Sequence, residues 1–173
     1  MFNYSTEKFK GKGEAYTISV TGLNGGHSGD EIHNGYANSV KVITEIISNI
    51  SNKFKLRISH IQAGNLRNAI PREAFVDIYI DGDEEAIREV VNKGESEIHS
   101  RYYSTEPNLK IGIGKSVGNG LVIEQNIQDN LLKALDDCPH GVIAWSTTIK
   151  NLVETSTNLA SVKIRGNSIR VVS

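Results

Sequence analysis

Between residues 14 and 113 the apolar residues change their spacing in a fixed order, and that order limits the fold more than any other feature of the sequence. In the segment Glu14 to Leu23, Tyr16, Ile18 and Val20 alternate with Thr17, Ser19 and Thr21, the period of a half-buried strand. Ala37, Val40, Ile43, Ile46, Ile47 and Ile50 then recur at helical spacing, which predicts an amphipathic helix from about residue 34 to 51. Lys55 to Gln62 returns to alternation through Leu56, Ile58, His60 and Ile61, and Ala74 to Ile80 alternates again. Asp81-Gly82-Asp83-Glu84-Glu85 supplies a turn, an N-cap and early acidic residues for a second helix through Ile87, Val90, Val91 and Ile98, and Leu109, Ile111 and Ile113 make a fourth strand. Strand, helix, strand, strand, helix, strand is the order of the ferredoxin-like split unit, so an α+β fold is expected: an antiparallel sheet with helices on one face.

That unit occupies about residues 14–116. The remainder, about 117–173, reads as an extension: a helix from about residue 122 to 137, ended by Pro139, and two strands within Val153 to Val172 that form a C-terminal hairpin joined at Arg165-Gly166-Asn167-Ser168. Gly118-Asn119-Gly120 is the best hinge candidate. A valine-rich strand that stops at Ser173 with nothing to cover it suggests a fragment, so the chain is expected to be one domain that is truncated at this end.

Composition removes several function classes. The chain has 19 basic and 20 acidic residues and a net charge of −1, so no global field selects nucleic acid or an anionic membrane. Cys138 is the only cysteine, which excludes an internal disulfide framework and suits a reducing compartment. No apolar run approaches the roughly 20 residues of a membrane span, and no signal-peptide core opens the chain, so the cytoplasm is the expected location.

The segment between the first strand and the first helix, Gly22-Leu23-Asn24-Gly25-Gly26-His27-Ser28-Gly29-Asp30, carries the most suggestive chemistry. Its glycines are expected to let the backbone present the His27 imidazole at an exposed corner. Three familiar motifs fall short. Gly-x-Ser-x-Gly would need glycine at position 30, where Asp30 stands; His27 and His33 lack a ligand cluster around them; and Gly114-Lys115-Ser116 lacks the glycine that a phosphate loop would place at Leu109. His60, His99, His140 and Cys138 read as ordinary strand, helix, turn and small apolar residues. Asn68, in the loop before Ala69-Ile70-Pro71, serves either as a turn device or as an amide aimed at a ligand. Arg67 and Arg72 beside it are either carboxylate partners or surface charge.

Two of these segments resemble one family when taken together. Val20 to His33, with Asn65-Leu66-Arg67-Asn68-Ala69-Ile70-Pro71-Arg72-Glu73-Ala74, is similar to the aminoacyl-histidine dipeptidases, within the di-zinc metallopeptidase superfamily of carboxypeptidases, aminoacylases and carnosinases. Pro139-His140-Gly141-Val142 and Val153-Glu154-Thr155-Ser156-Thr157-Asn158-Leu159 resemble later stretches of the same family. The resemblance implies a lid or dimerisation domain that is separate from the catalytic zinc domain. It implies that His27 stabilises the oxyanion of the attacked carbonyl, in its own or a neighbouring subunit, and that Asn68 contacts a dipeptide substrate. The two zinc ions would belong to the full-length enzyme and none to this chain, which by itself would be inactive. The implied partners are the catalytic domain and a second copy in a homodimer. The alternative from the residues alone is a ferredoxin-like interaction module without a catalytic role.

Overall fold

The computed structural model describes residues 2–166 and 168–173. In chain order its elements begin with the short strands β1 (Phe2–Asn3) and β2 (Thr6–Lys8), followed by β3 (Glu14–Thr21) and β4 (Gly26–His27). Next come α1 (Ser39–Ser51), β5 (Lys55–Ala63), β6 (Ala69–Ile70), β7 (Ala74–Asp81), α2 (Glu84–Tyr102) and β8 (Lys110–Lys115). The last part holds β9 (Leu121–Ile123), α3 (Gln125–Asp137), β10 (Gly141–Trp145), β11 (Val153–Thr157), β12 (Ser161–Arg165) and β13 (Ser168–Val172).

Among the described residues, seven strands form one antiparallel sheet in the order β1-β13-β12-β5-β7-β3-β8. The stretch β5-β7-β3-β8 is the ferredoxin-like order that the sequence predicts. Helix α1 lies across β3, β5 and β7, α2 packs beside it over β8, and α3 packs against α1 and β5. The core fills the space between helices and sheet with Tyr16, Ile18, Val20, Ile43, Ile46, Ile47, Ile58, Ile78 and Ile80, each at most 1% exposed. Gly94 lets α2 approach α1 closely, since a Cβ there would lie 2.6 Å from Ile46 Cδ1.

Four boundaries differ from the sequence pattern, each for a local reason. Helix α1 begins at Ser39, five residues later than the apolar stripe suggests, because the Asn38 side-chain oxygen accepts from Val40 N–H at 2.9 Å and caps the helix there. In β5 the register slips between Ile58 and His60, a bulge at Ser59 that turns Ile61 inward and puts His60 on the open face of the sheet. Leu121–Ile123 pairs with β2 as a strand, so α3 starts only at Gln125. Residues 153–172 hold three strands rather than two: β11 pairs with β10 in a separate hairpin, and β12 with β13 in the hairpin that extends the sheet. Of the turn joining β12 and β13, Asn167 lies outside the described residues.

Candidate functional site

The His27 segment leaves β3 at Gly22, whose φ of +78° and close approach to the Asn108 carbonyl exclude a side chain. One buried carboxylate then clasps both ends of the excursion. Glu106 accepts from Asn24 N–H at 2.7 Å and from Ala37 N–H at 2.9 Å, and it is fully buried. Burial pushes its carboxyl above the usual range, and the two backbone N–H groups oppose that shift. Asn24 Nδ2 adds a bond to the Thr105 carbonyl at 2.6 Å.

Inside the clasp, β4 pairs antiparallel with β6, Gly26 opposite Ile70 and His27 opposite Ala69. Ser28 N–H donates to the Asn68 carbonyl at 3.0 Å, so His27 on β4 and Asn68 in the turn that enters β6 lie side by side although 41 positions separate them in the sequence. Glu31 accepts from His27 N–H at 2.7 Å and closes the turn. Gly26, at a φ of +142°, is where a Cβ would press on that Glu31 carboxylate. Gly29 has a different use from the expected one: its φ is not in the left-handed region, and its N–H lies 3.2 Å from His27 Nδ1.

The His27 side chain is 50% exposed. Its Nδ1 has two alternative neighbours, Gly29 N–H at 3.2 Å and the Asp30 carboxylate at 3.3 Å. Accepting from Gly29 leaves the proton on Nε2, so the neutral ring offers an N–H donor away from the turn; protonated, the ring pairs with Asp30. Neither neighbour is Ser28, and no nucleophile and base pair is built here. Asn68 is exposed. Beneath it, Asn158 Nδ2 donates to the Ala69 carbonyl at 2.9 Å.

The β10–β11 hairpin approaches this turn. His33 meets Trp145 edge to face at 6.4 Å between ring centroids, and Asn38 Nδ2 lies 3.1 Å from His140 Nδ1 while also donating to the Leu159 carbonyl at 2.9 Å. Burial, with the Lys41 charge nearby, pushes His140 down to about 4, so the ring is neutral and structural.

The other candidates scatter. His60 stands opposite Asp77 on the open face of the sheet, and His99 packs edge-on to Tyr103. Lys115 pairs with Glu14 at 2.7 Å and with Glu84 at 3.0 Å, which holds its ammonium charged in a surface network. Cys138 is half-buried. Among the described residues, no group of three or more His, Cys, Asp or Glu side chains is arranged to hold a metal ion. Among the described residues, no helix is long and apolar enough to cross a membrane. Sequence reasoning missed Glu106, whose partners are 82 and 69 positions away, and it passed over Asn158 as a site residue.

An antiparallel sheet with helices on one face, carrying an exposed histidine on a clasped turn, is an α+β domain of the ferredoxin-like class. The chain belongs to the peptidase dimerisation domain family, whose pattern it matches over residues 14–106. It is 31% identical over 159 residues to a cytosol non-specific dipeptidase of Escherichia coli (strain K12), an alignment that covers 91% of this chain and 33% of that protein. It superimposes with a TM-score of 0.93 and 27% identity on the aminoacylhistidine dipeptidase of Vibrio alginolyticus, covering 98% of this chain and 35% of that one. The chain therefore spans about a third of the length of both.

Proposed function

We propose that this chain is the lid and dimerisation domain of a zinc dipeptidase that hydrolyses Xaa-His dipeptides in the cytoplasm, with His27 as the oxyanion donor and Asn68 as a substrate contact. The observation that carries this reading is the β4–β6 pairing, which sets an exposed imidazole and the Asn68 loop side by side. An N–H aimed at a carbonyl oxygen as it gains charge acts only in the transition state, and removing such a donor typically costs about 10²- to 10³-fold in kcat. In this reading the zinc ions are held by a separate catalytic domain. This chain's residues bind, orient and exclude water when the lid closes. Its ferredoxin-like unit at about 14–116 and the extension at about 117–173 then serve as one lid, which self-associates into a homodimer.

In a full-length enzyme that carries this domain, His27→Ala lowers kcat on an Xaa-His dipeptide by about 10²-fold or more, with metal content unchanged. Unchanged turnover, or loss of metal in proportion to activity, overturns the role. The isolated chain, supplied with zinc and dipeptide, releases no amino acid; robust hydrolysis would refute the division of labour.

A further inference from the structure

The strands that extend the sheet carry a feature with no part in the reading above. In β12 and β13, Val162, Ile164, Ile169 and Val171 turn toward the core, so Lys163, Arg165 and Arg170 project on the face opposite the helices. Lys163 and Arg170 are direct cross-strand partners. Like charges opposite each other weaken an antiparallel pair, so this register is one that stability alone disfavours. Arg67 joins them from the loop before β6. Together with Asn65 and the nearly buried Ser161, these four cations line a cavity of about 130 Å³.

The lining includes no carboxylate, and none of the four cations takes part in an ion pair among the described residues. Lys163 Nζ has a neutral neighbour, Asn65 Oδ1, at 3.1 Å. This concentration of positive charge stands out in a chain whose net charge is −1. A local rule broken without an internal compensating contact is what a ligand site produces, because the ligand supplies the missing partner.

We propose that this pocket binds a multiply charged oxyanion of the phosphate type. Arginine forks match the oxygens of such an ion two at a time, and Lys163 adds a point charge. Four uncompensated cations favour a dianion over a single carboxylate. The volume is below the roughly 300 Å³ at which pockets for drug-sized ligands begin, which suits an ion or one phosphoryl group and not an extended cofactor. Ser161 and Asn65 add neutral polar groups to the lining. The ion relieves the Lys163–Arg170 repulsion and so fastens β12 to β13.

The test uses the whole chain and inorganic phosphate, followed by calorimetric titration and thermal melting, with acetate at matched ionic strength as the monovalent control. Saturable phosphate binding with a rise in Tm, about tenfold weaker or absent in Lys163→Gln/Arg170→Gln, is the expected result. Arg170→Gln alone raises the Tm of the phosphate-free chain at low salt, because it removes the opposed charge. Arg67→Gln, on a loop outside the ladder, weakens phosphate binding without a change in the phosphate-free Tm. Competition by glycerol phosphate identifies a phosphomonoester as an occupant, and phosphate binding without that competition restricts the site to the free ion. No saturable binding, an equal response to acetate, or undiminished binding in the double variant overturns the proposal.

Discussion

Asn158 holds the carbonyl of Ala69 at 2.9 Å, and Ala69 is the strand partner of His27. The brace reaches across 89 positions and lies directly behind the turn that presents the imidazole. Its other end is unusual: Asn158 Oδ1 is buried and has no hydrogen-bond partner among the described residues. An orphaned acceptor of this kind costs roughly 1–3 kcal/mol, so the residue is expensive to keep for packing alone. Asn158→Ala should leave global stability nearly unchanged, since the lost bond and the removed orphan offset each other. It should loosen the turn, seen as faster amide exchange at Ser28 with core amides unaffected.

Glu106 gives a second way to separate turn order from fold stability. Its two oxygens serve two N–H donors, so Glu106→Gln sets an amide NH₂ against either Asn24 N–H or Ala37 N–H. Exchange at one of those amides should rise by about tenfold or more, in line with the roughly 1–3 kcal/mol cost of a lost buried bond. The pH dependence has a definite sign. Because burial raises this carboxyl, its favourable contribution to folding is complete below the ordinary value of 4.5 and is lost as pH rises through the raised one. The stability of the wild type relative to Glu106→Gln should therefore shrink as pH increases from 4.5, measured by denaturant unfolding across a pH series.

Why some of this was legible in the sequence and some was not follows from the distances over which each signal acts. Tyr16, Ile18 and Val20 announce β3 because a half-buried strand writes its period into adjacent residues, and the Val40 to Ile50 stripe announces α1 for the same reason. The order of those periods is enough for the ferredoxin-like topology. The β10–β11 hairpin leaves no such trace, for Ile143 and Trp145 are exposed and the hairpin contributes nothing to the core. The bulge at Ser59 is invisible too, since it breaks the very alternation used to find the strand. At the site, local glycines marked the turn, whereas its closeness to Asn68 depends on a pairing two residues long, too short for any period. Glu106 has no local signal at all, because its chemistry comes from N–H groups far away in the chain.

His140 predicts an acid limb in stability. Its ring is held neutral by burial and takes part in a contact with the Asn38 amide that also caps α1. A histidine lowered from 6.5 to about 4 contributes stability that is present above pH 6.5 and is lost as pH falls toward 4. The full contribution amounts to about 3 kcal/mol. Urea unfolding from pH 7 to pH 4 should show this loss in the wild type, and His140→Phe, which cannot take up the proton, should show an acid limb flatter by about that amount. An equal slope in both proteins would mean that the ring titrates as if exposed.

The sheet changes its partner on β5 where β12 stops covering it. Strand β12 pairs with β5 only at Val162–Ala63 and Lys163–Gln62, so near Leu56 and Ile58 the outer edge of β5 has no ladder partner among the described residues, although β9 packs close by. Gln128, 2% exposed on α3, takes the place of that strand: its Oε1 accepts from Ile58 N–H at 2.7 Å and its Nε2 donates to the Leu56 carbonyl at 3.1 Å. One side-chain amide thus satisfies two buried backbone groups and closes an edge that would otherwise invite pairing with another chain. Gln128→Leu fills the same volume but leaves both groups unpaired, and at roughly 1–3 kcal/mol for each it should destabilise the fold by about 2–6 kcal/mol. Chemical denaturation reads the shift directly. Gln128→Glu should cost a comparable amount for a different reason: it keeps the acceptor for Ile58, loses the donor to Leu56, and places a carboxylate in the core. If Gln128→Leu proved neutral, water would have to reach the β5 edge, and α3 would not be the cover that its packing against α1 and β5 implies.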